Sequence, residues 1–179
     1  MLFGRAIGGF NKSEMYFRQH IAQSLLYGQQ FGWIRSVVVH EPSKLIFLKS
    51  MVSLRYRYTP LFYRGEMLRP ARVESDQSDH AALGGLWFTT TASLPAVMSG
   101  TWKQRGGTKS VMFVINCSDE EAQFTAVANA GEYGIQATEQ LHMFPGNNNV
   151  EAAVESGRFT IKGTLAPQDY IVVEWQPIS

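Results

Sequence analysis

From about residue 86 onward the chain is written in short runs of β-forming residues, separated by turn residues and with no helical period between them. Leu86 to Thr91 is the first run. Val97 to Trp102 and Ser110 to Ile115 flank Arg105-Gly106-Gly107-Thr108, a strong hairpin turn. Asn116 to Glu120 supplies the next turn, and Ala122 to Val127 alternates like a half-buried strand. Gln136 to Phe144 ends at Pro145-Gly146-Asn147-Asn148-Asn149, and Arg158 to Thr164 and Asp169 to Trp175 close the set. Many short strands with Gly and Asn turns specify an antiparallel β-sandwich.

The first third follows a different period. Ser13 to Tyr27 reads as a helix: Ser13 is an N-cap, and Tyr16, Phe17, Ile21, Leu25 and Leu26 recur near helical spacing before Gly28 offers a stop. Gln29 to Ile34 reads as a loop or short extended piece, and Val37-Val38-Val39 is a β-branched run. A second helix begins at Glu41-Pro42-Ser43, where proline suits the first turn, and ends by Pro60. Its apolar stripe is Leu45, Leu48 and Val52, widened by Phe47, Met51 and Leu54. Gly65 to Pro70 looks extended, and Val73 to Leu83 looks like polar loop. The expected class is α+β, with N-terminal helices packed on or leading into a C-terminal antiparallel β-sandwich. The expected division is a helical segment 1–60, a connecting segment 61–85 and the sandwich 86–179.

Charge follows the same division. The net charge of +1 hides a balance of +6 over residues 1–60 and −6 over residues 120–179. Two oppositely charged ends suit layers that attract where they meet. The basic residues are scattered singly, which argues against a nucleic-acid partner. No apolar run reaches the roughly 18 residues of a membrane span, so no membrane partner is expected. Residues 1–7 lack the apolar segment of a secretory signal. With 45% hydrophobic residues the chain is expected to be folded and soluble, its compartment open. Cys117 is the single cysteine, which excludes an internal disulfide.

A search for chemistry finds no catalytic, metal or cofactor motif. Glu14, Glu41, Glu66, Asp76 and Asp79 are the candidates weighed among the early carboxylates, and none sits in a context that pairs it with another across a sugar bond. His20, His40, His80 and His142 lie far apart in sequence. Asp76-Gln77-Ser78-Asp79-His80 lacks the ligand count and glycine of a calcium loop. No serine elbow or phosphate-cradling glycine loop is present.

The aromatic residues carry the remaining signal. Trp175 alternates with Val173 and Ile171 and reads as core, whereas Trp102 precedes a polar hairpin tip and is expected to be partly exposed. Gln29 and Gln30 stand close to Trp33, and amides beside a ring suit sugar hydroxyls. Gln29, Gln30, Trp33 and Trp102 are therefore the candidate substrate-binding residues. Arg55-Tyr56-Arg57-Tyr58 reads as a layer-to-layer contact, with arginine stems on rings.

The order of these segments resembles a known arrangement. A helix, Gly28-Gln29-Gln30-Phe31-Gly32-Trp33-Ile34, a helix ending in Leu54-Arg55-Tyr56, Gly65-Glu66-Met67-Leu68-Arg69-Pro70 and an all-β tail resemble the C-terminal end of (β/α)8-barrel glycoside hydrolases. There the last barrel elements lead into a β-sandwich. The tail is similar too, with Val111 to Asn116 followed by Ser118-Asp119-Glu120, and Leu165 to Trp175 closing after a proline. A whole barrel takes about 250 residues, so the resemblance implies only its last elements. It also implies that the catalytic carboxylates, which lie on earlier barrel strands, fall outside this chain. Gln29, Gln30 and Trp33 would edge the barrel mouth.

The leading expectation is a non-catalytic C-terminal portion of a glycoside hydrolase, with a carbohydrate partner and self-association through the N-terminal helical segment. The alternative is a stand-alone β-sandwich module that binds a glycan or a protein. A small hydrolase using Glu66 and Asp76 is the third reading.

Overall fold

The computed structural model describes residues 14–32, 34, 36–84, 89–107, 109–135, 140–145 and 149–176. The two expected helices form as α1 (Glu14–Leu26) and α2 (Pro42–Arg57), with Pro42 in the first turn of α2. The expected N-cap Ser13 lies outside the described residues. Gly28 ends the first helix with a φ of 64°, in the left-handed region that glycine enters without a Cβ penalty.

Three expectations change in this part. Helix does not end at Pro60: a third helix, α3 (Thr59–Arg64), restarts there with the proline in its first turn, where no N–H is needed. Ser36–His40, which contains the valine run, is a 3₁₀ turn rather than extended chain. It pairs with no strand among the described residues and buries Val38 against the helical core cluster. The buried stripe of α2 is Phe47, Met51 and Leu54, whereas Val52 points outward at 45% exposed. This buried series continues through Tyr58, Leu61 and Phe62, so α2 and α3 present one inner face and one outer face.

The strands are β1 (Gly65–Leu68), β2 (Arg72–Ser75), β3 (Ser78–Gly84), β4 (Thr89–Pro95), β5 (Val97–Gln104), β6 (Ser110–Asn116) and β7 (Ala122–Asn129). A short helix, α4 (Ala130–Tyr133), precedes β8 (Gln140–Phe144), β9 (Val150–Glu155), β10 (Arg158–Leu165) and β11 (Tyr170–Gln176). One sheet has the order β1-β5-β6-β11-β8, the second β2-β7-β10-β9, and β3 pairs with β4 as a hairpin. The stretch Val73 to Leu83, expected as loop, contributes strands instead. The segment 61–85, read as a connector, thus supplies an edge strand to each sheet. β9 was also missed, because its apolar residues are mostly alanine and valine between glutamates.

The fold class is α+β, with three layers: helices, the five-stranded sheet and the four-stranded sheet. The middle layer serves two cores, because successive side chains of a strand face opposite ways. From β6, Val111, Phe113 and Ile115 join Ile21, Leu25, Phe47 and Met51 beneath the helices. Met112 and Val114 from the same strand, with Val173 and Trp175 of β11, meet Phe124, Phe159 and Ile161 of the second sheet. This two-sided burial explains why β6 is a continuous apolar run rather than an alternating one. Trp175 is core, as its alternation predicts, and stacks on Tyr133 at 5.9 Å.

No helix among the described residues is long and apolar enough to cross a membrane.

Candidate functional site

Two regions bear on function: the corner that holds the sequence-derived candidates, and a groove on the opposite sheet. At the corner, α1 ends in carbonyls that no longer have helical partners. The Trp102 indole N–H donates to the Leu26 carbonyl at 2.8 Å, and the Arg55 guanidinium donates to the Gln29 carbonyl at 2.7 Å. Arg55 lies between the rings of Phe31 and Phe62, 5.6 Å from each centroid. Gln29 and Trp102 therefore do come together, with Gln30 exposed beside them. Trp33 lies outside the described residues.

The expected exposure of Trp102 is not what forms. The residue is 7% exposed, and Phe62 meets its ring edge-on at 5.4 Å. A Cβ on Gly28 would come within 2.8 Å of the indole, so the turn and the ring are in close contact. Each hydrogen-bonding group and each face is occupied by the chain itself. Trp102 fastens α1 to the five-stranded sheet and offers no ring face to a ligand. The arginine stem packing expected for Arg55 and Arg57 is present, with Arg57 over Tyr58 and Phe144. Tyr56 of the same stretch is exposed instead.

The carboxylates that reach the interior are set for stability. Arg18, wholly buried, donates to the Cys117 carbonyl at 2.7 Å and to Asp119 at 2.6 Å, tying α1 to the β6–β7 turn. Burial pushes the Cys117 thiol up to about 12, against the opposing pull of Arg18, which keeps it un-ionised and unreactive. Glu174 accepts from the Tyr58 hydroxyl at 2.7 Å and pairs with Lys109 at 2.9 Å. Burial alone would raise the Glu174 carboxyl, but Lys109, Tyr58 and Arg57 outweigh it and hold the group below the usual carboxylate range. A glycosidase acid needs the opposite shift. Glu66 and Asp76, the pair of the third reading, fall on different sheets, on β1 and just past β2.

The depressed Glu174 pKa has a stability consequence. Its contribution is present above the unfolded glutamate value of about 4.3 and disappears as pH falls through the lower folded value. Glu174→Gln is therefore expected to lower the denaturation midpoint at pH 7, with the gap to wild type closing toward pH 3. Urea titrations of both proteins across that range check it, and a gap that widens on acidification contradicts it.

The groove runs over the outer face of the four-stranded sheet, with a volume of about 670 Å³. Register builds it. Glu74 on β2 pairs with Thr125 on β7, Thr125 with Lys162 on β10, and Lys162 with Glu151 on β9, giving one row across all four strands. A parallel row begins at Gln123 and Thr164, partners on β7 and β10. Asp76 joins it by accepting the Gln123 N–H at 2.9 Å, and Asn149 joins by accepting the Thr164 N–H on its carbonyl at 3.1 Å.

Gly163 makes this close approach possible. Its φ is 155°, and a Cβ there would lie 2.0 Å from the Asn149 carbonyl oxygen. Glu151 pairs with Lys162 at 3.3 Å and Glu74 with Arg72 at 3.0 Å, while Asp76 accepts the Gln123 N–H and has no ion pair among the described residues. The groove thus carries an unpaired carboxylate beside two ion pairs, a surface for a polar ligand that is not an anion. Of these residues the sequence singles out only Asp76, in other roles; the rest escape notice because their alternation marks an outer face without revealing which strands lie side by side.

Among the described residues, no group of three or more His, Cys, Asp or Glu side chains is placed to hold a metal ion. No protein-family model matches the chain, and no curated protein matches it either.

Proposed function

We propose that the chain is the non-catalytic C-terminal portion of a glycoside hydrolase, and that its β-sandwich contacts a glycan in the groove of the four-stranded sheet. The observation that carries this reading is the row Glu74–Thr125–Lys162–Glu151 with the second row beside it. Carboxylates accept, the lysine donates, and threonine and amide groups do both, which matches the mixed character of sugar hydroxyls. Neighbouring strands lie about 4.8 Å apart, so adjacent strands reach opposite edges of one sugar ring. The unpaired Asp76 carboxylate repels an anionic ligand, a repulsion that a neutral saccharide does not meet. Exposed side chains lose freedom on binding, so affinity is modest and rests on several bonds together.

Calorimetric titration with neutral oligosaccharides tests the proposal. Binding is expected, and Lys162→Ala with Thr125→Ala is expected to weaken it at least about tenfold, a loss of about 1.4 kcal/mol. The same protein is expected to release no aglycone from aryl glycosides. A flat titration across a broad glycan panel overturns the groove assignment, and glycoside turnover overturns the non-catalytic one.

A further inference from the structure

The outer face of α2 and α3 is not what a solvent face of two helices ordinarily presents. Tyr56 is 84% exposed and Tyr63 72%, in line with Val52 along the helices. Arg57 and Arg64 flank them, both exposed, and the sequence has no acidic residue between Glu41 and Glu66. Tyrosine and arginine together are the side chains that protein interfaces favour. Pairing this face with the same face of a second copy would set arginines and Lys49 against their own kind, which charge disfavours.

The opposite end of the molecule carries the complement. The Ser43 hydroxyl bonds Glu14 at 2.9 Å and Arg18 bonds Asp119, so the β6–β7 turn sits by the N-terminal end of α2. Tyr56 is near the other end of that 16-residue helix, about 24 Å long at 1.5 Å per residue. The turn exposes Asp119, Glu120 and Glu121 in succession, and Glu120 and Glu121 have no ion-pair partner among the described residues. The turn that holds Ala166 and Pro167, both exposed, is tied to it by the Gln168 amide bond to Asp119 at 2.9 Å. Carboxylates with an apolar neighbour suit arginines beside tyrosine rings.

We propose that copies of this chain associate head to tail, the Tyr56–Tyr63 face of one docking on the Asp119–Glu121 turn of the next. Such a contact is heterologous and leaves one free face at each end, so it extends rather than stopping at a pair. It uses neither row of the groove, and its test is read apart from glycan binding.

Sedimentation equilibrium on the full chain at low salt is expected to give a mass that climbs beyond two chains with concentration, and that falls to one chain in 0.5 M NaCl, where the Debye length is well under 10 Å. Tyr56→Ser with Tyr63→Ser, and separately Glu120→Lys with Glu121→Lys, are each expected to remain monomeric. Mixed in equal amounts they are expected to form a pair and no more, because each retains one intact face. Arg64→Glu provides a second helix-face variant should the tyrosine pair fail to fold, with the same expected pairing. Wild type that stays monomeric overturns the proposal. So does a turn variant that associates as wild type does, or a mixture of folded variants that remains monomeric.

Discussion

Trp102→Ala is expected to destabilise the chain by about 3–5 kcal/mol, the range for removing a buried large aromatic. The indole fills the space between the α1 turn, Phe62 and β5, and the neighbours cannot close it cheaply, since Gly28 and Leu26 are held by the helix end. Its N–H also satisfies the Leu26 carbonyl, and losing that bond strands a helix-terminal acceptor. For a chain of this size each kcal/mol moves the melting temperature by about 2–4 °C, so a drop on the order of 10 °C is expected. Glycan affinity of the folded fraction should be unchanged. A variant of wild-type stability that has lost binding would reinstate Trp102 as a ligand contact.

Asn116→Ala is expected to cost about 1–3 kcal/mol, through hydrogen bonds rather than volume. The wholly buried Asn116 amide donates to the Glu120 carbonyl at 2.8 Å and the Ala166 carbonyl at 2.9 Å, and its oxygen accepts from the Ser118 N–H at 3.0 Å and hydroxyl at 2.7 Å. One side chain therefore joins the β6–β7 turn to the β10–β11 turn. Alanine leaves the buried Ser118 N–H without a partner, at about 1–3 kcal/mol, whereas the Ser118 hydroxyl and Glu120 carbonyl still bond each other at 2.8 Å and the Ala166 carbonyl keeps the Asp169 N–H. Aspartate should be no better, since it cannot donate to the two carbonyls and adds a buried charge. Chemical denaturation of both variants checks this, and an Asn116→Asp protein as stable as wild type would contradict the bonding scheme.

These two residues show what the sequence makes legible. That β6 ends in asparagine before an acidic turn is visible in the letters; that its amide bridges to Ala166, 50 residues later, depends on strand order. Helices α1 and α2 follow from local period and from Pro42. The outer face of α2 does not, because Leu45, Leu48 and Val52 fit a helical stripe as well as Phe47, Met51 and Leu54 do, and only the sheet beneath selects the second set. β2 and β9 escape notice because their outward positions carry charge and their inward ones small residues. Gln29 and Gln30 are set beside Trp33 by the sequence, which gives no sign that Trp102 packs against the same turn at Gly28. What they do there is set by Arg55 and by the carbonyls at the end of α1, and local sequence shows neither contact. The groove is a product of register alone.

The proposed glycan contact lies on the four-stranded sheet, in a chain expected to perform no hydrolysis. Amide chemical-shift mapping during oligosaccharide titration tests it most directly, because it locates the ligand as well as detecting it. Saturable shifts are expected at Thr125, Lys162, Thr164 and Glu151, with residues 28–31 unmoved and the oligosaccharide intact at the end of the titration. Shifts confined to residues 28–31, or none at any concentration, would contradict it.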